Sequence, residues 1–308
     1  MVFDSALDII GNTPVVRLNK IVDKYDLNGE IYAKVEYYSP GLSKKDRIAK
    51  YIIEKAIRNG ELKKGQTVIE QTSGNTGIGL ALVCSILGYP FVAVMSKGNS
   101  IERVKMIEAF GGKVELVDKV SSHLGVSKED MEAVEKKFVE LTKELDAFPV
   151  SQFSNIDNVL AHYYTTGEEI LNDIKDIDVF VDYVGTGGSF VGISKRLKEN
   201  HKCLCFKVIP DKVDHSIQGG GYFKDIPFDE DYLCDGEIVV SSEDAFEGMA
   251  ELAKEEGLYA GISSGANLKA AISFLKENPG KKVVFLLNDV GLKYLSLSDN
   301  EIKDKNDN

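Results

Sequence analysis

Short apolar runs alternate with stretches of helical periodicity along most of this 308-residue chain. "TVIE" (67–70) gives way to "GIGLALVCSILG" (77–88), then "FVAVM" (91–95), a helix through Ala109, and "KVELV" (113–117). That is a run of βαβ units, the pattern of a parallel sheet covered by helices. A polar helix over about 127–146, opened by the capping-box spacing of Ser127 to Asp130, separates this set from a second. The second set begins near "AFPVSQF" (147–153), passes a helix around 157–174 and reaches "VFVDYV" (179–184). Further strands are expected at "CFKVI" (205–209), "LYAGI" (258–262) and "VVFLL" (283–287). The fold class is therefore α/β, with two lobes and a cleft between them, and the charged tail 298–308 is expected to fray.

With 43% hydrophobic residues the chain can bury a large core, and its net charge of −12, unbroken by a basic run, argues against nucleic acid or an anionic membrane as partner. No secretory pattern opens the sequence, and no apolar run approaches the roughly 20 residues that cross a bilayer, so a cytoplasmic location is expected. Cys84, Cys203, Cys205 and Cys234 are too few and scattered for a disulfide framework. Cys203 and Cys205 would share one face of a strand, as packing rather than as ligands. His123, His162, His201 and His215 supply no partner at metal-ligand spacing, so no metal site is expected.

Ligands of such sheets bind beyond the carboxyl ends of the strands, which directs attention to loops. In "EQTSGNTG" (70–77) two glycines permit close backbone approach, and Thr72, Ser73, Asn75 and Thr76 add hydroxyls, an amide and helix N-terminal N–H groups. This suits a carboxylate. In "GTGGS" (185–189) glycines and hydroxyls at a helix start fit a phosphate monoester. The loop lacks the Gly-Lys-Ser/Thr ending of a nucleotide P-loop, and Phe190 stands where a dinucleotide fingerprint needs glycine. In "SPGLSKKDRIAK" (39–50) Ser43 and Asp46 have capping spacing, which puts Lys44 and Lys45 at the first two helical positions. The helix dipole and a neighbouring cation lower an amine's hold on its proton, and a neutral lysine can form a Schiff base with an aldehyde. Taken alone, the stretch also reads as two solvated surface lysines. Together the three loops suggest what pyridoxal 5'-phosphate and an amino-acid substrate require: a phosphate clamp, an aldehyde-reactive lysine and a carboxylate pocket.

The sequence resembles the cysteine synthase and cystathionine β-synthase family, fold type II pyridoxal-phosphate enzymes with a tryptophan synthase β-like, two-domain architecture. The resemblance is carried by "IIGNTPVVRL" (9–18), "SPGLSKKDRIA" (39–49), "QTSGNTGIGLA" (71–81), "TTGEEI" (165–170), "GTGGS" (185–189), "EEGLYAGISSGA" (255–266) and "NDVGLKYLS" (288–296). In that family the Schiff-base lysine directly precedes Asp-Arg, which implies Lys45. The resemblance further implies Asn75 at the cofactor's phenolic oxygen, and Thr72, Ser73, Thr76 and Gln152 at the substrate carboxylate. It assigns Gly185, Thr186, Gly187, Gly188 and Ser189 to the phosphate and sets Gly219 beside the substrate. Residues 1–11 and 37–148 are expected to form a smaller domain, and 12–36 with 149–308 a larger one.

The activity implied is β-replacement or β-elimination on a cysteine- or serine-type amino acid, with sulfide as nucleophile or leaving group and Lys45 moving the α-proton. Water or another thiol is the alternative nucleophile, and a homodimer is implied. Activating water or a thiol needs a further acid or base, for which the acidic cluster 224–235 offers Asp231, against the reading of a solvated acidic loop. Regulation of the kind some cystathionine synthases show is not expected.

Several positions depart from the family pattern. Val290 stands where a serine donates to the pyridine nitrogen, leaving Asn288 or a water for that role. Leu42 replaces a small residue, Lys44 an apolar one, and Gln71 a common proline. Cystathionine-type thiol exchange and a serine or threonine deaminase of the same fold are the neighbouring readings. A nicotinamide oxidoreductase fails at the glycine fingerprint, and an idle cofactor-binding protein, which Val290 alone would suggest, fails to explain Lys45 between two polar loops.

Overall fold

The computed structural model describes residues 2–120, 128–200, 202–213, 215–220, 228 and 231–296. The strands are β1 (Val15–Arg17), β2 (Gly29–Val35), β3 (Val68–Gln71), β4 (Phe91–Ser96), β5 (Lys113–Val117), β6 (Phe148–Pro149), β7 (Val179–Tyr183), β8 (Leu204–Pro210), β9 (Gly236–Val240) and β10 (Lys281–Leu287). The helices are α1 (Asn19–Lys24), α2 (Lys45–Asn59), α3 (Asn75–Leu87), α4 (Ile101–Ala109), α5 (Lys128–Glu144), α6 (Asp157–His162), α7 (Glu168–Asp173), α8 (Gly188–Asn200), α9 (Ser242–Glu256) and α10 (Ile262–Glu277).

Among the described residues two sheets form, a six-stranded one in the order β1-β2-β10-β7-β8-β9 and a four-stranded one in the order β5-β4-β3-β6. Every pairing is parallel except β1 with β2. β7 sits between β10 and β8, and all five of its residues are buried, as expected of a parallel strand covered on both faces. Its one charged residue, Asp182, is therefore a conspicuous cost unless something pairs with it. β5, at the edge of the smaller sheet among the described residues, exposes Lys113 and Glu115, charges that discourage edge-to-edge pairing. The larger sheet's core centres on Val179, Val181, Phe285 and Leu287 with α10 packed across it, and the smaller's on Ile48, Ile52, Ile78 and Val83 between α2 and α3.

The structure departs from the sequence reading at four places. "LYAGI" is not a strand: Ala260 makes one bridge to Val290 and Ile262 opens α10, since β10 already has β2 and β7 on its two sides. "AFPVSQF" contributes only the two residues of β6, because Ser151 turns the chain with φ 55°. The helix around 157–174 is α6 and α7 joined by a π turn over Tyr163–Gly167, where the Thr165 hydroxyl donates to the Ala161 carbonyl. Ser43 and Asp46 do not form a capping box: Asp46 Oδ2 accepts from Gly41 N–H at 2.6 Å, Lys44 is the N-cap, and Lys45, not Lys44, is the first helical residue. β1, β2 and β9 have no counterpart among the runs expected as strands. Ser127 and the tail 298–308 lie outside the described residues.

Candidate active site

The functional side chains gather where the strands of both sheets end. The loop before α2 is tied to the segment after β10: Lys44 N–H donates to the Asn288 carbonyl at 2.9 Å and Val290 N–H to the Leu42 carbonyl at 3.3 Å, while Ser43 and Asp289 form a bridge. Leu42 lies in the left-handed region, φ 60°, which explains why a small residue is the easier choice there.

This loop sends its two lysines to different fates. Lys44 is buried, with Nζ 3.0 and 3.1 Å from the two Asp182 oxygens and 2.8 Å from Ser189 Oγ. It supplies the partner that the charged residue of β7 needs. Lys45 borders both the outer cleft and the inner chamber. Although part of Lys45 opens on that space, the surrounding protein strips water from its amine, and together with the charge of Lys44 this pulls its pKa down to about 7, against the opposing pull of Asp182 and Glu70. An amine with that pKa is substantially neutral, and nucleophilic, near neutrality.

The loop after β3 builds the outer cleft's polar wall. The Thr72 hydroxyl accepts from Gly74 N–H at 3.0 Å and from Gly77 N–H at 3.3 Å. Gly74 has φ 135°, and a Cβ there would fall 2.2 Å from Arg103 Cδ, so glycine is required. Ser73 is exposed at the turn, and Asn75 opens α3. Thr76 Oγ1 donates to Gln152 Oε1 at 2.6 Å, and Gln152 Nε2 to the Gln71 carbonyl at 3.1 Å. Thr72, Ser73, Asn75, Thr76 and Gln152 therefore line one space with Lys45, Gly185, Thr186 and Gly219. Behind them lies Glu70, pushed up to about 8 by burial.

The loop after β7 closes the inner chamber. A Cβ on Gly185 would sit 2.5 Å from the Gly219 carbonyl oxygen, so these loops approach as closely as glycine allows. Gly187 turns with φ 87° into α8, whose N-terminus begins at Gly188. Asn158 joins this loop to the carboxylate loop, its amide donating to Thr186 Oγ1 at 2.9 Å and to the Gln152 carbonyl at 2.8 Å. The Ser189 hydroxyl accepts from Lys44 and donates to Asp182 at 2.5 Å, so the group it keeps for an anion is its backbone N–H.

Val290 lies outside both spaces, whereas Ser263 and Asn288 line the chamber, with Asn288 Nδ2 donating to Ser263 Oγ at 3.1 Å. Asn288 Oδ1 is buried without a hydrogen-bond partner among the described residues. Sequence reasoning named Asn288 and missed Ser263, although Ser263-Ser264 at the start of α10 was a signal of the same kind as the other polar helix starts. It also missed Asp182, visible as a lone charge in "VFVDYV". Asp231 opens a 3-10 turn, Asp231–Leu233, and its side chain lies outside the described residues.

The family model described as pyridoxal-phosphate dependent enzyme matches residues 6–289. A cysteine synthase of Staphylococcus aureus is 40% identical over 308 residues, covering 95% of this chain and 96% of its own. A crystal structure of a hydrogen sulfide-producing enzyme from Fusobacterium nucleatum is 42% identical with a TM-score of 0.89, over 96% of this chain and 100% of that one. An O-acetylserine dependent cystathionine β-synthase from Helicobacter pylori is 32% identical with a TM-score of 0.89, over 96% of this chain and 98% of that one.

Proposed function

This chain belongs to the pyridoxal-phosphate dependent enzymes, and on that premise we propose that it catalyses replacement or elimination at the β-carbon of a cysteine- or serine-type amino acid, with sulfide entering or leaving. The observation that carries the reading is Lys45, whose side chain borders both the outer cleft and the inner chamber between a phosphate-type and a carboxylate-type loop, while the neighbouring Lys44 is held by Asp182.

The residues present fit the cofactor. The glycine pinch between Gly185 and Gly219 leaves backbone rather than side chain facing the chamber, and the N-terminus of α8 offers N–H groups to a phosphate. Asn288 Oδ1, buried and unpartnered, is the kind of atom that a polar ring edge satisfies. Gly185, Thr186, Gly187, Gly188 and Ser189 would hold the phosphate, Lys45 the aldehyde carbon and Asn75 the phenolic oxygen, with Ser263 and Asn288 serving the ring nitrogen in place of Val290. When bound, pyridoxal phosphate withdraws electrons from the substrate's α-carbon.

The remaining work falls to the chain. Thr72, Ser73, Thr76 and Gln152 hold the substrate carboxylate, which fixes the α-carbon beside Lys45, and Gly219 admits the substrate without a side chain in the way. Lys45, whose amine is held near pKa 7 by burial and by Lys44, would take the α-proton. Met131, Val134 and Phe153 cover the apolar side of the outer cleft, where the β-substituent departs and its replacement arrives. That apolar wall favours, as a second reading, an organic thiol in place of bare sulfide. Asp231 stays a candidate for handling the proton of water or thiol.

The reading also holds that residues 1–11 and 37–148 form a smaller domain and 12–36 with 149–308 a larger one, supported by the separation of β3–β5 from β2 and β7–β10 into two sheets. It further holds that the protein acts in the cytoplasm as a homodimer. The free cysteines support the first of these, and family resemblance the second. Among the described residues no helix is long and apolar enough to cross a membrane.

The test is to supply cysteine, serine, O-acetylserine and O-phosphoserine separately, with sulfide, with an organic thiol and with neither, while measuring sulfide, pyruvate and new thioether. Sulfide consumed with an activated serine, or released from cysteine, supports the reading. Turnover to keto acid from serine alone, with sulfide inert, would overturn it in favour of a deaminase.

A further inference from the structure

Lys293 is a fully buried lysine that no part of the proposed chemistry uses. Its Nζ donates to the Gly41 carbonyl at 2.8 Å, the Leu42 carbonyl at 3.1 Å and Asn75 Oδ1 at 2.9 Å. Three acceptors engage three ammonium protons, which a neutral amine does not have. Two carboxylates, Asp46 and Asp289, favour that charge against the burial that opposes it.

The other end of the same amide is held by the opposite chemistry. Asn75 Nδ2 donates to Asp289 Oδ2 at 2.8 Å, and Asp289 is itself fixed by the Tyr294 hydroxyl at 2.7 Å. Asp289 and Tyr294 are as buried as Lys293. An ammonium only donates and a carboxylate only accepts, so a single orientation of the Asn75 amide satisfies both. Rotating the amide by half a turn would set N–H against N–H and oxygen against oxygen in a water-poor site. Nδ2 has two protons and Asp289 takes one. The residue bearing the second borders the chamber that holds Lys45.

We propose that Lys293 and Asp289 are a positioning pair that locks the Asn75 amide, so that its remaining N–H is held ready for an anionic oxygen on the ring of the bound cofactor. Resting on the function proposed above, it assigns a role to two residues outside the catalytic set. Lys293 also braces the strained turn at Leu42 that leads into Lys45, which links the ring-oxygen donor to the reactive amine through one side chain.

The experiment records, for wild-type holoenzyme and the variants K293M, K293R, N75A and K293M/N75A, the ratio of the bound cofactor's long- to short-wavelength absorption bands across pH. That ratio reports the protonation of the ring oxygen and needs no turnover. A hydrogen bond to the ring oxygenate favours its charged form, so K293M is expected to change the ratio about threefold or more at fixed pH, in the same direction as N75A. K293R restores most of the effect. In the N75A background K293M moves the ratio no further, because the donor it orients is gone. Equal shifts by K293M with and without Asn75, or no shift by K293M, would overturn the proposal. Should K293M fail to fold, D289N replaces it, with the same expected shift and the same overturning result. A wild-type protein that binds no pyridoxal phosphate would instead sink the functional reading itself.

Discussion

Lys44 and Asp182 form a buried ion pair, Nζ to Oδ2 3.0 Å, one residue along the chain from the amine that borders the cleft. The pair answers which of two adjacent lysines is free to react. Lys44 is captured by a carboxylate on β7, and the first turn of α2 leaves Lys45 facing the chamber.

Removing one member of a buried pair strands the other as an uncompensated charge. Lys44→Met should therefore destabilise the apoprotein by about 3–5 kcal/mol, measured by urea unfolding at neutral pH, and adding Asp182→Ala should return most of that loss. A double variant no more stable than Lys44→Met would contradict the pairing.

Lys45 is held near pKa 7 by burial and by Lys44. The folded-state value is lowered, so the amine loses its proton as pH rises through about 7 rather than through the ordinary lysine range. The rate at which apoprotein captures pyridoxal phosphate into a visible-absorbing adduct should climb through that pH and level off above it. A rate still climbing steeply toward pH 10 would contradict the assignment.

Much of the site was legible in the sequence because its parts are local. Glycines and hydroxyls between an apolar run and a helix mark a loop that exposes backbone to a ligand, and both polar loops fall where that pattern put them. What was not legible depends on pairs far apart in the chain. Lys44 and Asp182 are separated by 138 positions and Lys293 and Asn75 by 218, so neither partnership can be read from spacing. "LYAGI" misled for a related reason: an apolar run reports burial, but whether it joins a sheet depends on whether an edge is left for it, and β10 had none.

Thr76 donates its one hydroxyl proton to Gln152 Oε1 at 2.6 Å and so orients the Gln152 amide, whose Nε2 donates one proton to the Gln71 carbonyl and keeps the other for the substrate carboxylate. A hydrogen bond to a charged group contributes about 1.5–3 kcal/mol, so Thr76→Val, which releases that amide, should raise KM for the amino-acid substrate about tenfold with little change in kcat. A large loss of kcat at unchanged KM would place Thr76 in the chemical step instead.

Glu70 is raised by burial from 4.5 to about 8, so between those values the native apoprotein holds a proton that the unfolded chain has released. Its contribution is present below pH 4.5 and is lost as pH rises. Glu70→Gln removes that loss: its stability relative to wild type should grow with pH from 4.5 to 7, by up to about 1.4 kcal/mol per unit, in urea unfolding at several pH values. A constant difference across that range would show that Glu70 is ionised in the folded protein.

The most direct measurement is reduction of the holoprotein with borohydride, followed by peptide mapping. The account predicts one phosphopyridoxyl group, on Lys45. A label on Lys44 or any other lysine, or no label on a protein that has retained its cofactor, would contradict it.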